Sequence, residues 1–321
     1  MERMFCGVDI GGTKLAAGLI NSTGRLVHLF ETSDHACLDE ACVMDLVRDT
    51  VRNLCREAEM PVSDLAGVGV GMAGHIRNRE GIVITTSNLP GFKNYPLAKE
   101  LTARLGVRVA VDNDANCQAL AEHRFGSGQG YNDMIFITVS TGIGAGIIIN
   151  NRLLRGQTGT AGEIGHTIIE PSSESLCTCG NKGCFMAHAC TLNLDCLVKR
   201  KSARHTTSKI VGSVKRSCGE RIDGKVIHEH ACHADPLALE VIDEYADYLG
   251  IMLYNLFQIF NPPMIVMGGG LMNWGDAFFS RITSRFHSLA RDMLFDPIAI
   301  VKAKLGKDGG VTGAACLLFD D

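Results

Sequence analysis

Apolar positions along the chain predict helices that alternate with buried strands. Residues 38–60 carry apolar side chains at intervals of three and four positions, which is the spacing of one helix face. Similar segments predict further helices at residues 97–105, 115–124, 191–201 and 237–260. Short apolar runs predict strands at residues 65–71, 107–111 and 264–267. A chain in which strands and helices alternate in this way is predicted to have an α/β fold.

Two segments of the chain combine a strand, a glycine-rich turn and a second strand. The first is residues 8–20 and the second is residues 135–149. Small residues at both turns let backbone N–H groups approach a phosphate without a side chain in the way. An ordinary tight hairpin would explain either segment alone. Two of them in a chain of this length indicate an internal duplication whose halves face each other across a nucleotide.

A cluster of polar residues follows the predicted strand at residues 107–111. It reads D-N-D-A-N, from Asp112 to Asn116, and a predicted helix begins within it. Asp114 is therefore expected at the carboxyl end of a strand and the start of a helix, where clefts form in open α/β sheets. The helix dipole favours a charged carboxylate there, which suits a proton acceptor. The alternative is that Asp112 or Asp114 only caps the helix.

Three later segments have weaker patterns. The turn of Gly268, Gly269 and Gly270 is open enough for an adenosine moiety to lie against bare backbone, although a simple strand-to-helix connection has the same pattern. Residues 309–319 are rich in small side chains and predict a helix that packs tightly against the first domain. Residues 202–234 are polar and poorly periodic, which predicts a mobile or variable excursion.

Three cysteines and a histidine lie close together in the middle of the chain. Cys177, Cys179 and Cys184 follow His166 within one short segment, and two glycines let the loop fold back on itself. One imidazole and three thiolates are ligands that tetrahedral Zn²⁺ prefers. The sequence therefore predicts a structural zinc that fixes the neighbouring Glu163. Cysteines inside apolar patterns elsewhere are interpreted as small core residues.

Composition sets the size and class of the protein. The chain has 321 residues, of which 46% are hydrophobic, enough for two cores and two domains. Its net charge of −4 provides no positive field for nucleic acid, and its short basic runs are interpreted as solvated helix faces. The chain shows no apolar leader and no apolar stretch of membrane length, so we expect a cytoplasmic protein without a membrane partner. In that compartment cysteines should be thiols or metal ligands.

Seven motifs in this order resemble those of the ROK family of sugar kinases, repressors and open reading frames. They are D-I-G-G-T-K from Asp9, N-L-P-G-F from Asn88, D-N-D-A-N from Asp112, S-T-G-I-G-A-G from Ser140, G-E-I-G-H from Gly162, C-x-C-G-x-x-G-C from Cys177 and M-G-G-G from Met267. The resemblance covers nearly the whole chain. It implies the two-domain actin-like ATPase (ribonuclease H-like) fold of hexokinase, with an inter-domain cleft that holds sugar and Mg·ATP. The implied domains are a smaller one of residues 1–115, completed by residues 306–321, and a larger one of residues 116–305.

The resemblance also implies a role for each residue that matches a family motif. Asp114 would be the catalytic base that takes the proton of the sugar hydroxyl attacking the γ-phosphoryl group. The implied sugar contacts are Gly74, Asn88, Asn113, Asp114, Glu163 and His166. His166 would bind zinc through one ring nitrogen and face the sugar with the other. The implied nucleotide contacts are Asp9, Gly11, Gly12, Thr13, Lys14, Thr141, Gly142, Gly268 and Gly269. Asp9 would hold Mg²⁺ through water, so that ATP and Mg²⁺ join the structural Zn²⁺ as cofactors.

One departure from the family pattern concerns the sugar. After the last cysteine of the motif the family usually has an aliphatic residue and then Glu, whereas this chain has Phe185 and Met186. A thioether accepts hydrogen bonds only weakly, so a buried sugar hydroxyl at that place would lose a partner at a cost of about 1–3 kcal/mol. The departure predicts an altered sugar preference unless another group, such as His188, compensates.

The resemblance leaves different classes of function to be separated. The first is an ATP-dependent kinase for the 6-hydroxyl of a hexose or N-acylhexosamine, with glucose and N-acetylmannosamine as the leading substrates. The second is a sugar-responsive regulator, which in the family carries a DNA-binding helix-turn-helix before the first hairpin. Only about four residues precede the strand at Phe5, so the kinase is favoured. A sugar-binding protein without efficient turnover is the third alternative. By analogy, the helix that ends near Phe260 predicts a homodimer or homotetramer.

Overall fold

The computed structural model describes most of the chain and divides it into two compact units. The described residues are 2–12, 14–33, 35, 39–86, 89, 91–210 and 222–319, without the side chains at positions 192 and 292. The first unit consists of Met1–Phe136, Ala145–Gly162 and Ala303–Asp321, and the second of Ile137–Gly144 and Glu163–Lys302. This division by contacts places the residues after 115 differently from the implied domains, whose boundaries stay a prediction.

Strands and helices alternate along the described residues. The strands are β1 (Met4–Ile10), β2 (Leu15–Asn21), β3 (Leu26–Thr32), β4 (Leu65–Met72), β5 (His75–Arg77), β6 (Ile82–Thr85), β7 (Val109–Asn113), β8 (Met134–Val139), β9 (Ile143–Ile149), β10 (Arg152–Leu153), β11 (Met264–Gly268) and β12 (Ala299–Lys302). The α-helices are α1 (Glu40–Glu57), α2 (Leu97–Leu105), α3 (Asp114–Phe125), α4 (Met186–Ala189), α5 (Leu194–Ser202), α6 (Gly224–Cys232), α7 (Pro236–Phe260), α8 (Asp276–Ala290) and α9 (Gly309–Cys316). The predicted α/β class is confirmed.

Two five-stranded sheets share one strand order. The first runs β3-β2-β1-β4-β7 and the second runs β10-β9-β8-β11-β12. In the first sheet β1 is antiparallel to β2 and parallel to β4, and β4 is parallel to β7. In the second sheet β9 is antiparallel to β10 and β11 is parallel to β12. The repeated order confirms the structural duplication that the two glycine-rich hairpins predicted.

Helices cover the inner strands of the first sheet, whereas its edge strand β3 is largely exposed. Every residue of β2 is buried, as expected for a strand covered on both faces. The predicted apolar stripe of α1 packs into one core with β1, β2 and β4. Helix α9 contacts β1 and β4 as well as α3. The small side chains allow this contact, since a Cβ atom at Gly69 would lie 1.7 Å from the Ala314 carbonyl oxygen.

The long helix α7 organises the second unit together with α8. Asp235 caps its start, accepting hydrogen bonds from the first backbone N–H groups, and Pro236 occupies the first turn. The helix ends at Asn261 in the left-handed conformation, directly before two prolines. Phe257 packs edge-on against Phe286 of α8, with ring centroids 5.7 Å apart. The end of this helix lies where the sequence predicts it, because capping residues and prolines are local signals.

The structure differs from the sequence pattern in three places. Residues 224–232, within the segment predicted to be an excursion, form α6, whose N-cap is Asp223. Helix α8 has no counterpart among the predicted elements. The glycine turn after β11 leads into a short 3-10 helix, Gly270–Trp274, so this turn does connect a strand to a helix, which was the alternative interpretation. Among the helices described, none has both the length and the apolar character needed to cross a bilayer.

Candidate active site

The polar cluster at the end of β7 is held by the first turn of α3. Asn113 is the N-cap of this helix, and its side-chain oxygen accepts hydrogen bonds from two backbone N–H groups at 2.9 and 3.4 Å. Its Nδ2 donates to the carbonyl oxygen of Gly74 at 3.1 Å. The capping role that the sequence left open for Asp112 or Asp114 therefore belongs to Asn113.

Asp112 is a structural carboxylate. It is fully buried and accepts hydrogen bonds from Nε of Arg155 at 2.7 Å and from Nδ2 of Asn116 at 2.9 Å. A buried carboxylate is tolerated when it is paired and hydrogen-bonded in this way. The cluster thus contains one buried anchor, one helix cap and one further carboxylate, that of Asp114.

Asp114 lies close enough to Asp9 for the two carboxylates to influence each other. Burial, and then the charge of Asp114, raise the pKa of Asp9 from 3.8 to about 7, while the charge of Lys14 lowers it. Asp114 itself begins α3, and its Oδ1 lies 3.0 Å from the backbone N of Ala115. The first unit therefore brings together three charged residues that the sequence assigned to catalysis and nucleotide binding. A pair of close carboxylates favours a cation beside it.

The first hairpin turn is closed by its own backbone. The N–H of Gly11 donates to the carbonyl oxygen of Lys14 at 2.9 Å, and the carbonyl of Gly11 lies 2.7 Å from Nε2 of the buried His35. The Lys14 ammonium forms an ion pair with Glu31 of β3, so it is shared between the turn and the neighbouring strand. Gly12 lies in the same turn. Two predicted contacts, Thr13 and Asn88, lie outside the described residues.

The second hairpin turn is packed against the glycines that follow β11. The N–H of Ser140 donates to the carbonyl of Gly142 at 2.9 Å, and Thr141 at the tip is exposed. Gly268 ends β11 and is buried. Gly269 has a φ of +91°, and a Cβ atom there would lie 2.4 Å from the Val139 carbonyl oxygen. The second unit thus places the predicted adenosine-side glycines beside the predicted phosphate hairpin.

The predicted zinc ligands converge in the second unit. The ligand atoms of His166, Cys177, Cys179 and Cys184 all lie within 4.8 Å of one another. Nδ1 of His166 is 3.4 Å from Sγ of Cys177, and Sγ of Cys179 is 3.7 Å from Sγ of Cys184. Ligands bound to tetrahedral Zn²⁺ at about 2.0–2.3 Å are separated by about 3.3–3.8 Å, whereas a disulfide needs about 2.05 Å. The geometry therefore fits a metal site and excludes a disulfide between Cys179 and Cys184.

The chemistry of the thiols also fits a metal. Burial raises the pKa of Cys184 to about 12, which disfavours a thiolate at that position unless a cation lies beside it. A hydrogen bond from the backbone of Asn181 acts in the other direction and lowers the pKa of Cys179. A bound divalent cation deprotonates coordinating thiols outright. The four side chains are therefore suited to Zn²⁺.

The other nitrogen of His166 faces Glu163. Its Nε2 lies 3.9 Å from Oε2 of Glu163, and both side chains are about one-third exposed. A 3-10 turn, Ile164–His166, joins the two residues. The histidine therefore presents one nitrogen to the cysteines and the other towards a carboxylate, an arrangement compatible with the double role that the resemblance implies.

Met186, which replaces the expected Glu, lies between the second hairpin and the Glu163–His166 turn. Its Cε would be 2.8 Å from a Cβ atom at Gly165 and 3.6 Å from one at Gly142. His188, two residues later on α4, instead stacks on Tyr248 with ring centroids 4.7 Å apart. Residues two apart on a helix point in nearly opposite directions. The imidazole therefore does not take the place of the missing carboxylate.

Sequence reasoning missed the residues that support the site from elsewhere in the chain. Arg155 holds Asp112, and His35 holds the first hairpin through Gly11. Glu122, at the far end of α3, is 2% exposed and accepts hydrogen bonds from the backbone N–H groups of two residues before α9. No local sequence pattern identifies these supporting residues, because each lies tens of residues or more along the chain from the group that it holds.

Residues 5–321 match the model of the ROK family. The chain belongs to the ROK family. This ROK protein is 32% identical to a glucokinase from Halalkalibacterium halodurans over 99% of its own length and 95% of that relative. It is 28% identical to a xylose repressor from Caldicellulosiruptor bescii over 98% of its own length and 78% of that relative. The family therefore joins kinases and repressors around one common part.

A solved structure shows the same fold. The crystal structure of a ROK family glucokinase from Streptomyces griseus in complex with glucose and AMPPNP matches this ROK protein with a TM-score of 0.82. The two are 33% identical, and the match covers 98% of each chain. The fold is accordingly that of the actin-like ATPases, as the resemblance implied. These relatives make this ROK protein a phosphotransferase.

Proposed function

We propose that this protein is an ATP-dependent sugar kinase that phosphorylates the 6-hydroxyl of a hexose or N-acylhexosamine, with Asp114 as the general base. The observation that carries the proposal is the division of labour at the end of β7. Asn113 caps the helix and Asp112 is buried against Arg155. Asp114 begins α3, where its Oδ1 accepts a hydrogen bond from the backbone N–H of Ala115, and it lies near a second acidic residue, Asp9.

The proposed roles follow the chemistry of phosphoryl transfer. Its transition state is loose and anionic, so the enzyme contributes positioning and charge, and one carboxylate that accepts the hydroxyl proton is sufficient. Asp114 would accept that proton at a carboxylate oxygen. Asp9 would hold Mg²⁺ through water, and the ion, when bound, supplies positive charge to the phosphate oxygens. The N-terminus of α3 favours the charged form of a carboxylate beside it.

The nucleotide contacts are proposed on the two hairpins and the glycine turn. In the first unit they are Gly11, Gly12, Thr13 and Lys14, and in the second unit they are Thr141, Gly142, Gly268 and Gly269. Backbone N–H groups at turns free of large side chains can approach phosphate closely. The packing of Gly269 on Val139 supports this assignment, since it holds the glycine turn beside the second hairpin.

The sugar contacts are proposed around the zinc-stiffened turn and the α3 cap. They are Gly74, Asn88, Asn113, Asp114, Glu163 and His166. Zn²⁺ held by His166 and the three cysteines would keep Glu163 in place without taking part in the chemistry. Met186 presents a thioether where the family has a carboxylate, so we propose that N-acetylmannosamine or another non-glucose sugar is preferred over glucose.

A coupled assay of ADP release tests the function directly. The protein is incubated with Mg·ATP and, in turn, glucose, mannose, fructose, allose, glucosamine, N-acetylglucosamine and N-acetylmannosamine. We expect sugar-dependent ADP release with at least one of them and a 6-phosphate product. ADP release that is the same with and without every sugar, in a protein that still binds sugar, would indicate a sugar-binding regulator instead.

A further inference from the structure

The turn of the second hairpin is held by the segment that follows α4. The backbone N–H of Thr191 and its Oγ1 hydroxyl both donate hydrogen bonds to the carbonyl oxygen of Ser140, at 3.2 and 3.3 Å. Ser140 directly precedes Thr141 and Gly142, two of the proposed nucleotide contacts. All of these residues belong to the second unit. The position of the hairpin tip therefore depends on how the main chain at residue 191 is fixed.

A buried tyrosine of α7 fixes this main chain. The hydroxyl of Tyr245 donates a hydrogen bond to the carbonyl oxygen of Cys190 at 2.7 Å, which is the favoured length for an O–H donor. Tyr245 is fully buried, and burial raises the pKa of its hydroxyl well above the usual value of 10. The hydroxyl therefore stays protonated and remains a donor at every pH at which the protein is folded.

The two hydrogen bonds meet on one peptide group. The carbonyl of Cys190 and the N–H of Thr191 belong to the same planar unit, and the peptide bonds of the described residues are trans. In a trans peptide group the C=O and N–H bonds point in opposite directions. This peptide group therefore accepts a hydrogen bond from Tyr245 on one side and donates one to Ser140 on the other.

The same arrangement continues through the next peptide group. The carbonyl of Ser140 and the N–H of Thr141 form one planar unit, so this N–H points away from Thr191. Hydrogen bonds in a chain polarise one another in a protein interior, so a donor hydroxyl at one end strengthens the N–H at the other end as a donor. Thr141 is exposed at the tip of the hairpin, where a backbone N–H can reach an anion.

The ring of Tyr245 supports the glycine turn from the same place. Its centroid lies 5.6 Å from that of the Trp274 ring, at the end of the 3-10 helix that follows the glycine turn. In that turn Gly270 faces Ser140, whose Oγ would lie 3.4 Å from a Cβ atom at Gly270. One side chain of α7 therefore lies beside the supports of both the second hairpin and the glycine turn.

We propose that Tyr245 is a positioning residue for the nucleotide, whose hydroxyl aims the N–H of Thr141 at a phosphate through the two peptide groups between them. The inference rests on the proposed function, since it takes Thr141 as a nucleotide contact. Tyr245 has no exposed surface with which to touch a substrate itself. Loss of its hydroxyl is therefore expected to weaken the binding of ATP but not of adenosine, which lacks phosphate.

The variant Tyr245→Phe tests this, because it removes the hydroxyl and keeps the ring against Trp274. The matched control is Tyr248→Phe on the same helix, where the hydroxyl donates to Glu170 instead. Isothermal titration calorimetry of the whole protein with Mg·ATP, and competition by adenosine, gives both affinities. We expect Tyr245→Phe to raise the Kd of Mg·ATP about three- to tenfold, the loss of one hydrogen bond, with the Kd of adenosine unchanged. The control should leave both values unchanged.

A second variant, Thr191→Val, leaves Tyr245 in place and removes the Oγ1 donor to Ser140 while keeping the N–H. We expect a smaller loss, about twofold, again for Mg·ATP and not for adenosine. Unchanged Mg·ATP binding in both variants, with thermal unfolding showing them to be folded, would overturn the inference. An equal loss for Mg·ATP and adenosine would overturn it too, because it would show a merely structural role. Failure of the wild type to bind Mg·ATP would instead contradict the proposed function itself, and the inference with it.

Discussion

The two five-stranded sheets have the same strand order but carry different chemistry at their turns. In the first sheet the hairpin turn lies between Asp9 and Lys14, and Asp114 follows the last strand. In the second sheet the corresponding turn is made of Ser140, Thr141 and Gly142, without a charged side chain. The two sheets therefore share a topology, but carboxylates lie near the hairpin turn of the first unit and neutral donors lie at the hairpin turn of the second. The comparison teaches that the fold repeats while the function depends on single residues at its turns.

The two sheets also share a backbone device. In each sheet, the strand on the other side of the first hairpin strand, β4 or β11, ends near a glycine with positive φ that lies against other backbone. Gly74 has a φ of +144°, and a Cβ atom there would be 2.3 Å from the Thr85 carbonyl oxygen. Gly269 has a φ of +91° and a corresponding distance of 2.4 Å to Val139. Backbone geometry is therefore common to both units, and only the side chains separate their roles.

Removal of the charge at Asp114 is expected to have the largest effect. We expect Asp114→Asn to lower kcat by about 10²–10⁴-fold, since a positioned general base contributes a factor of that size. The measurement is the coupled ADP assay at saturating sugar and ATP. Asp276→Asn is the matched control, because Asp276 occupies the first turn of α8 in the second unit. Near-normal turnover by Asp114→Asn would eliminate this residue as the base.

Loss of a zinc ligand should disturb the Glu163–His166 turn of the second unit while leaving the carboxylates of the first unit intact. We expect Cys179→Ser to lose about one Zn²⁺ per chain in elemental analysis and to lower kcat/KM about 10–100-fold, since Glu163 would no longer be fixed. Cys196→Ser, at an exposed cysteine of α5, serves as the control. A wild-type preparation that is free of metal and fully active would contradict the structural role of zinc.

Gly269 tests the close backbone contact beside the second sheet, because a side chain added there would disrupt it. We expect Gly269→Ala to reduce the free energy of unfolding by about 2–3 kcal/mol and to raise the KM for ATP, because the added methyl meets the Val139 backbone as well as requiring positive φ. Gly275→Ala separates the two causes. Gly275 has a φ of +93° but no atom within 4 Å of the added Cβ, so it should cost only about 1–2 kcal/mol.

Asp9 should show the smallest effect, on pH-dependent stability. Its pKa is raised from 3.8 to about 7, so the folded protein holds a proton that the unfolded chain releases. The stabilisation from this proton is complete below about pH 4 and is lost as the pH rises to about 7. We expect Asp9→Asn, without nucleotide or Mg²⁺, to be more stable than the wild type at pH 8, because the charge that burial and Asp114 disfavour is removed.

Thermal unfolding measured at pH 5 and pH 8 checks this expectation. At pH 5 the stabilisation from the proton is only partly lost, so the difference in unfolding temperature between the two proteins should be smaller than at pH 8. The same variant should lose kinase activity, since Asp9 is assigned to Mg²⁺. Equal stability of the two proteins at pH 8 would contradict the raised pKa.

Local signals account for the parts of the fold that the sequence predicted well. The limits of α7 are set by the backbone preferences of Pro236 at its start and of Asn261 and the following prolines at its end. The spacing of apolar residues in α1 determines its buried face. Helices α6 and α8 escaped prediction. Ile227 is the buried residue of α6, so that helix has a weak pattern, whereas α8 has a regular apolar stripe of Phe278, Ile282, Phe286 and Ala290 that the spacing could have revealed.

The sequence by itself determined the α/β class, the two hairpins and the group of four candidate metal ligands, because each depends on residues close together in the chain. Only the tertiary structure decided which residue of the Asp112–Asp114 cluster caps α3, that Arg155 holds Asp112, and that His188 turns away from Met186 and stacks on Tyr248. These outcomes depend on burial and on partners tens of residues away. The spacing of residues along the chain indicates neither the burial of these side chains nor their distant partners.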